Sequence, residues 1–142
     1  MATASARAAA DRACGRSGGK ATLNCVEPNP EKMHVSVTKH DRPWIVWDDN
    51  VEAVISSPGG EFPVCKFMMN PKGATWDAIY RDDKEPDSSY DPEWQGAVCL
   101  DSDSWSAEMA IPWKALGMAS PQPGTQIRIN LTRCRSQGRQ CE

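Results

Sequence analysis

The sequence predicts an all-β fold, an antiparallel β-sandwich of the jelly-roll or immunoglobulin-like kind. Apolar and polar residues alternate in short runs, the period-two pattern of strands with one buried face. Clusters of Pro, Gly, Asn and Asp separate those runs at short intervals, and hardly any stretch reads as helix.

Taken in order, Met1 to Lys20 is rich in Ala, Arg, Ser and Gly without the apolar core of a signal peptide, and reads as a disordered leader. The domain is expected over residues 21–142. Ala21–Val26 is a short strand, closed by Glu27-Pro28-Asn29-Pro30, whose prolines bar a helix. His34–Thr38 is either a second strand or a loop leading to Asp41-Arg42-Pro43-Trp44. The organising stretch follows, Trp47-Asp48-Asp49-Asn50-Val51-Glu52-Ala53-Val54-Ile55. Acids and an indole stand at its front, and Val51, Ala53 and Ile55 share one face.

Ser56-Ser57-Pro58-Gly59-Gly60 turns the chain, so Phe62–Met69 should return as the second strand of a hairpin. Asn70-Pro71-Lys72-Gly73 is a turn and Ala74–Tyr80 an alternating strand. Arg81–Pro92 is acidic, carries prolines and reads as exposed. Trp94–Leu100 and Trp105–Ile111 are strands joined by a tight turn at Asp101–Ser104. The second of them ends at Pro112 and runs into one helical turn stopped by Gly117. Beyond the Ser120–Gly124 loop, Thr125–Arg133 closes the sheet with Ile127, Ile129 and Leu131 on one face.

A chain of 142 residues is one domain with room for a core. Its net charge of -3 and scattered Lys and Arg argue against a nucleic-acid or anionic-membrane partner, which would require a basic face. No run approaches the roughly 18 apolar residues of a membrane span. Trp supplies 6 of the aromatic residues against 2 Phe and 2 Tyr, more indole than a core alone calls for, which points to stacking surfaces. The 6 cysteines form no C-x-x-C pair, so zinc-knuckle and thioredoxin chemistry lack support. They fit either disulfides, in any of about 15 pairings, or small buried hydrophobes.

Trp44 and Trp47 lead the candidate site. An indole face accepts the C–H face of a pyranose, and Asp48, Asp49 and Glu52 are acceptors for its hydroxyls. The ligand-binding set is Trp44, Trp47, Asp49, Glu52, Asn70, Trp76 and Arg133. In it Trp76 is equally readable as core, and Arg133 or Arg135 as a partner for Glu52. Asp48 and Asp49 offer the hard oxygens of a structural calcium site, although no EF-hand spacing is present. Trp105 and Trp113 read as packing residues. Catalysis finds no support: His34 and His40 are the only histidines, and no Ser or Cys stands in a nucleophile elbow. The chain is expected not to be an enzyme.

Trp47-Asp48-Asp49-Asn50-Val51-Glu52, Phe67-Met68-Met69-Asn70-Pro71-Lys72-Gly73 and Trp76-Asp77 come in that order. After them stand Trp105–Trp113 with Leu116-Gly117, and Ile129-Asn130-Leu131-Thr132-Arg133. Together they resemble the family 9 carbohydrate-binding modules and their relatives in the DOMON-like superfamily. The resemblance implies a β-sandwich that binds oligo- or polysaccharide, located outside the cell or in the periplasm, and stationed beside a polysaccharide-degrading enzyme domain or partner chain. It places Glu52 on a sugar-bonding acid, Trp47 or Trp44 near the first stacking Trp, and Met68 where the sugar-binding members use an Arg. It also implies about one strand before Ala21 and a second stacking Trp beyond Arg133, so the chain reads as a domain cut at both ends. Within the same superfamily a haem-binding electron-transfer domain is the alternative, with ligands drawn from Met33, His34, His40, Met68 and Met69. A vestigial domain without a ligand is the third reading.

Overall fold

A computed structural model describes residues 18–26, 30–56, 59–136 and 140–141, with 18–26, 30 and 140–141 described as backbone alone. Of the leader expected over residues 1–20, residues 1–17 lie outside the described residues, while 18–20 are the first residues of a strand. Among the described residues eight strands form: β1 Gly18–Val26, β2 Asn50–Ser56, β3 Val64–Met69, β4 Thr75–Tyr80, β5 Gln95–Leu100, β6 Ser104–Pro112, β7 Arg128–Arg135 and β8 Gln140–Cys141. All pairings are antiparallel. One sheet runs β4-β3-β2-β7-β8 and the other β1-β6-β5. This is the all-β sandwich expected, and the remaining regular structure among the described residues is three short 3-10 turns.

The main core lies between the sheets. Val51, Ala53 and Ile55 of β2 meet Phe67 and Met69 of β3 and Trp105, Ala107, Met109 and Ile111 of β6. Each set follows the period of two that its strand imposes. The β2–β3 hairpin pairs Val51 with Met69 and Ile55 with Cys65, the register its alternation requires. Trp105 is 1% exposed and Trp113 packs on the same cluster, so both are packing residues as expected. β6 passes at Pro112 into the 3-10 turn Trp113–Leu116, which Gly117 ends in the left-handed region at φ 66.

The five-stranded sheet is covered on its second face as well. There Met68, Trp76 and Ala78 form a separate buried cluster with Val37, Ile45 and Ala74. Val37 and Ile45 come from the segment between Met33 and Asp49, which is loop and turn rather than strand over His34–Thr38. That segment positions the candidate site. Ile129 and Leu131 of β7 are aligned as expected but remain 52% and 45% exposed. Cys65 and Cys99 are free thiols, whereas Cys134 is disulfide-bonded.

Candidate functional site: an exposed tryptophan turn on a buried polar hub

Pro43 opens a 3-10 turn over Pro43–Trp47, where its fixed φ suits the first position and its missing N–H costs nothing. With three residues per turn, only every third side chain can face the sheet. Ile45 does so and is 0% exposed, while Trp44, Val46 and Trp47 stand outward at 65%, 45% and 56%. An isolated exposed apolar residue needs no explanation, but two indoles and a valine on one five-residue turn do. Beside them a groove of about 390 Å³ is lined by Ser36, Val37, Thr38, Lys39, Arg42 and Trp44. It combines one indole, two hydroxyls, an ammonium and a guanidinium, a donor set suited to hydroxyl oxygens.

The turn is held up by Asp48, which is 0% exposed. Its Oδ1 accepts from Ser36 N at 2.8 Å and Ser36 Oγ at 2.7 Å. Its Oδ2 accepts from Val37 N and from Asn70 Nδ2, each at 2.9 Å. Burial alone would raise the Asp48 carboxyl, but the bonds from Ser36, Val37 and Asn70 outweigh it and hold the carboxyl below its ordinary value. Asn70 completes the hub. Its Nδ2 also donates to Val37 O at 2.8 Å, and its Oδ1 accepts from Lys72 N and Ala74 N at 3.0 Å, shaping the turn after β3. Asn50 Nδ2 donates to Ile45 O and Asp48 O, closing the 3-10 turn onto β2. Asp49 donates its N–H to His34 O at 2.8 Å and accepts from Ser136 N at 2.7 Å, tying the turn to the end of β7.

The structure thus divides the residues singled out from the sequence. Trp44 and Trp47 share the exposed turn. Asp48, Asp49 and Asn70 lie beneath it with protein donors on their oxygens, and in this arrangement they position the turn. Both oxygens of Asp48 accept from N–H and O–H groups of the protein. Trp76 is 7% exposed and packs in the cluster that holds Ile45, so it is the floor under the turn. Glu52 pairs with Lys66 at 2.9 Å, and their side chains are only 14% and 19% exposed. Cys134 Sγ lies 3.9 Å from Glu52 Oε1. Arg133 is paired with Val51, which sets it on the face of the sheet opposite to Glu52. Of the haem-ligand candidates, Met68 and Met69 are each fully buried in different clusters, and His34 is exposed.

Two groups escaped the sequence reading. Ser36, Thr38, Lys39 and Arg42 line the groove, and only the closeness of Lys39 and Arg42 to Pro43-Trp44 hinted at it. His40, Asp41 and Asp91 meet at the edge of β4, where His40 Nδ1 is 2.6 Å from Thr75 Oγ1. No sequence signal joins them, because positions 40 and 91 are brought together only by the fold. Burial tends to lower the His40 imidazole, but the hydrogen bond to Asp91 and the charges of Asp41, Asp77 and Asp91 raise it above its ordinary value. Burial pushes the Asp77 carboxyl up to about 6, against the hydrogen bond from Trp94.

A larger cleft of about 640 Å³ lies among Pro63, Ile79, Tyr90, Pro112 and Leu116. Its single aromatic ring is half-buried, with the Tyr90 hydroxyl 3.7 Å from Cys65 Sγ, and burial raises both groups above their ordinary pKa values. Its cations are paired, Arg81 with Asp87 and Lys114 with Glu93. Size alone would favour this cleft. It offers no exposed indole, however, and the smaller groove beside Trp44 has the richer donor set.

No family model matches the chain, and no curated protein matches it. Among solved structures it is similar to a crystal structure of a "putative carbohydrate-binding protein" from Bacteroides uniformis, with a TM-score of 0.56 and 15% identity. The similarity covers 82% of this chain and 56% of the other, so the chain spans little more than half of that neighbour's length. At this identity the likeness is one of fold. No helix among the described residues is long and apolar enough to cross a membrane.

Proposed function

We propose that this chain is a non-catalytic carbohydrate-binding module, family 9-like and of the DOMON-like superfamily, whose contact surface is the Trp44–Trp47 turn. The observation that carries the reading is the pair of outward indoles on a turn held rigid from below. Trp44 and Trp47 are 65% and 56% exposed, while Ile45 and Asp48 between and beside them are fully buried. Stacking on sugar rings asks for apolar faces kept in water by a scaffold that has already met the ordering cost. The groove lined by Ser36, Thr38, Lys39 and Arg42 supplies donors for hydroxyl groups alongside. The fold shared with the Bacteroides uniformis protein agrees with it. In this reading the module acts outside the cell or in the periplasm, and keeps a polysaccharide-degrading enzyme domain or partner near its substrate.

Isothermal titration with cello-, xylo-, manno- and malto-oligosaccharides tests it, with indole fluorescence as a second signal. One series should bind saturably. Trp44→Ala should weaken it at least about tenfold, or about 1.4 kcal/mol, with an unchanged circular dichroism spectrum. Absence of heat with every series on folded protein, or binding indifferent to both Trp44→Ala and Trp47→Ala, would sink the reading.

A further inference from the structure

We infer that His40, Asp41 and Asp91 bind a first-row divalent cation of the zinc type, backed by the buried carboxylate of Asp77. The inference rests on different residues from the sugar reading and stands without it.

His40 Nε2 lies 3.2 Å from Asp41 Oδ2 and 3.2 Å from Asp91 Oδ1, and the three ligand atoms are all within 4.8 Å of one another. Zinc bonds to imidazole nitrogen and carboxylate oxygen of about 2.0–2.2 Å, at tetrahedral angles, set neighbouring ligand atoms about 3.3 Å apart. The ligand spacing therefore already suits such an ion, with a small outward movement to admit it. The other ring nitrogen, Nδ1, sits 2.6 Å from Thr75 Oγ1. When it donates there, Nε2 presents its lone pair to the cluster, the outer-shell arrangement that fixes a metal-binding tautomer.

These contacts alone describe an exposed ion-pair cluster. What points to a cation is the group behind it. Asp77 is 0% exposed, two residues along β4 from Thr75 and on the same face. Its Oδ2 accepts from Trp94 Nε1 at 2.7 Å, but its Oδ1 is enclosed with no hydrogen-bond partner. The charged groups acting on it are Asp41, His40 and Asp91, the three members of the cluster. Asp41 Oδ1 is likewise enclosed without a partner. Two carboxylates thus contact the imidazole and a third stands two residues along β4 from its partner Thr75, and one oxygen each of Asp41 and Asp77 faces no donor. A buried acceptor left without a donor is unfavourable, and an acceptor-only oxygen is satisfied by a cation as well as by an N–H group. A divalent ion bound by Nε2 and two carboxylates would balance the charge and bring Asp77 Oδ1 into use, directly or through a water. The imidazole selects the class, because calcium and magnesium take all-oxygen sites whereas zinc and its neighbours accept nitrogen.

The experiment uses the full, untagged chain after treatment with a chelator, titrated with zinc chloride and separately with calcium chloride. Binding is followed by calorimetry and by the His40 ring signals in nuclear magnetic resonance. One zinc ion per chain should bind, shifting the His40 signals, and calcium should bind at least about tenfold more weakly. His40→Gln and Asp91→Asn should each weaken zinc about tenfold or more, and Asp77→Asn by a smaller factor. The Asp91 side chain is 66% exposed, so Asp91→Asn keeps the fold and remains informative should another variant unfold. No saturable zinc binding, zinc binding unaffected by both His40→Gln and Asp91→Asn, or tighter binding of calcium would each overturn the inference.

Discussion

Replacing Asp48 with Ala removes the acceptor for four protein donors at once: Ser36 N, Ser36 Oγ, Val37 N and Asn70 Nδ2. Hydrogen bonds to a charged group contribute about 1.5–3 kcal/mol each, and a buried donor left unpaired costs about 1–3 kcal/mol. The Ser36 hydroxyl can turn to water, since that residue is exposed, so the loss falls mainly on Val37 N and Asn70 Nδ2. A destabilisation of about 3–5 kcal/mol at pH 7 is expected, a large share of a domain's usual 5–15 kcal/mol. For a chain of this size that corresponds to a fall in Tm of roughly 10–15 °C. Urea unfolding followed by indole fluorescence measures it. Because the folded Asp48 carboxyl lies below its ordinary value of 3.8, its contribution is present above that pH and is lost as pH falls through the folded value. The gap between the native chain and Asp48→Ala should therefore be widest near neutrality and close in strong acid. A change below about 1 kcal/mol at pH 7, or a gap that ignores pH, would refute the hub and return Asp48 to the pool of free ligand-binding acids.

Asp77 gives the opposite pH slope. Its carboxyl is raised from 3.8 to about 6, so the folded state holds the proton more tightly and stability falls as pH rises through that window. Holding the carboxyl near 6 rather than 3.8 corresponds to about 3 kcal/mol, and Asp77→Asn should flatten the slope of unfolding free energy between about pH 4 and 6. Trp105, 1% exposed between the sheets, should cost about 3–5 kcal/mol when replaced by Ala, read as a lower urea midpoint. An unchanged midpoint would mean that the sheets do not close over it.

Much of the fold was legible in the sequence because strand alternation is a local property. Val51, Ala53 and Ile55 announced the inner face of β2, and the turn at Asn70–Gly73 announced the hairpin's continuation into β4. Pro112 and Gly117 marked the end of β6 and of the turn after it through φ restrictions that act on single residues. The candidate site was legible only in its indoles. Period two says that successive residues face opposite ways, but it does not say whether the second face meets water or another layer. Here the Met33–Asp49 segment covers the second face, so Met68 and Trp76 are buried and the polar residues Asp48 and Asn70 are drawn in with them.

Register placed Arg133 opposite Val51, on the face away from Glu52, and Glu52 pairs with Lys66. The cluster of His40, Asp41, Asp77 and Asp91 depended wholly on long-range folding. His40 is 35 positions from Thr75 and 51 from Asp91, and neither distance leaves a periodic trace in the chain. The sequence by itself determined which segments are strands and where they stop, because backbone sterics and alternating hydrophobicity are written residue by residue. Tertiary structure alone decided which polar groups are buried, which meet and which indoles stay in water. Those outcomes depend on what packs over a face, and the covering segments come from elsewhere in the chain.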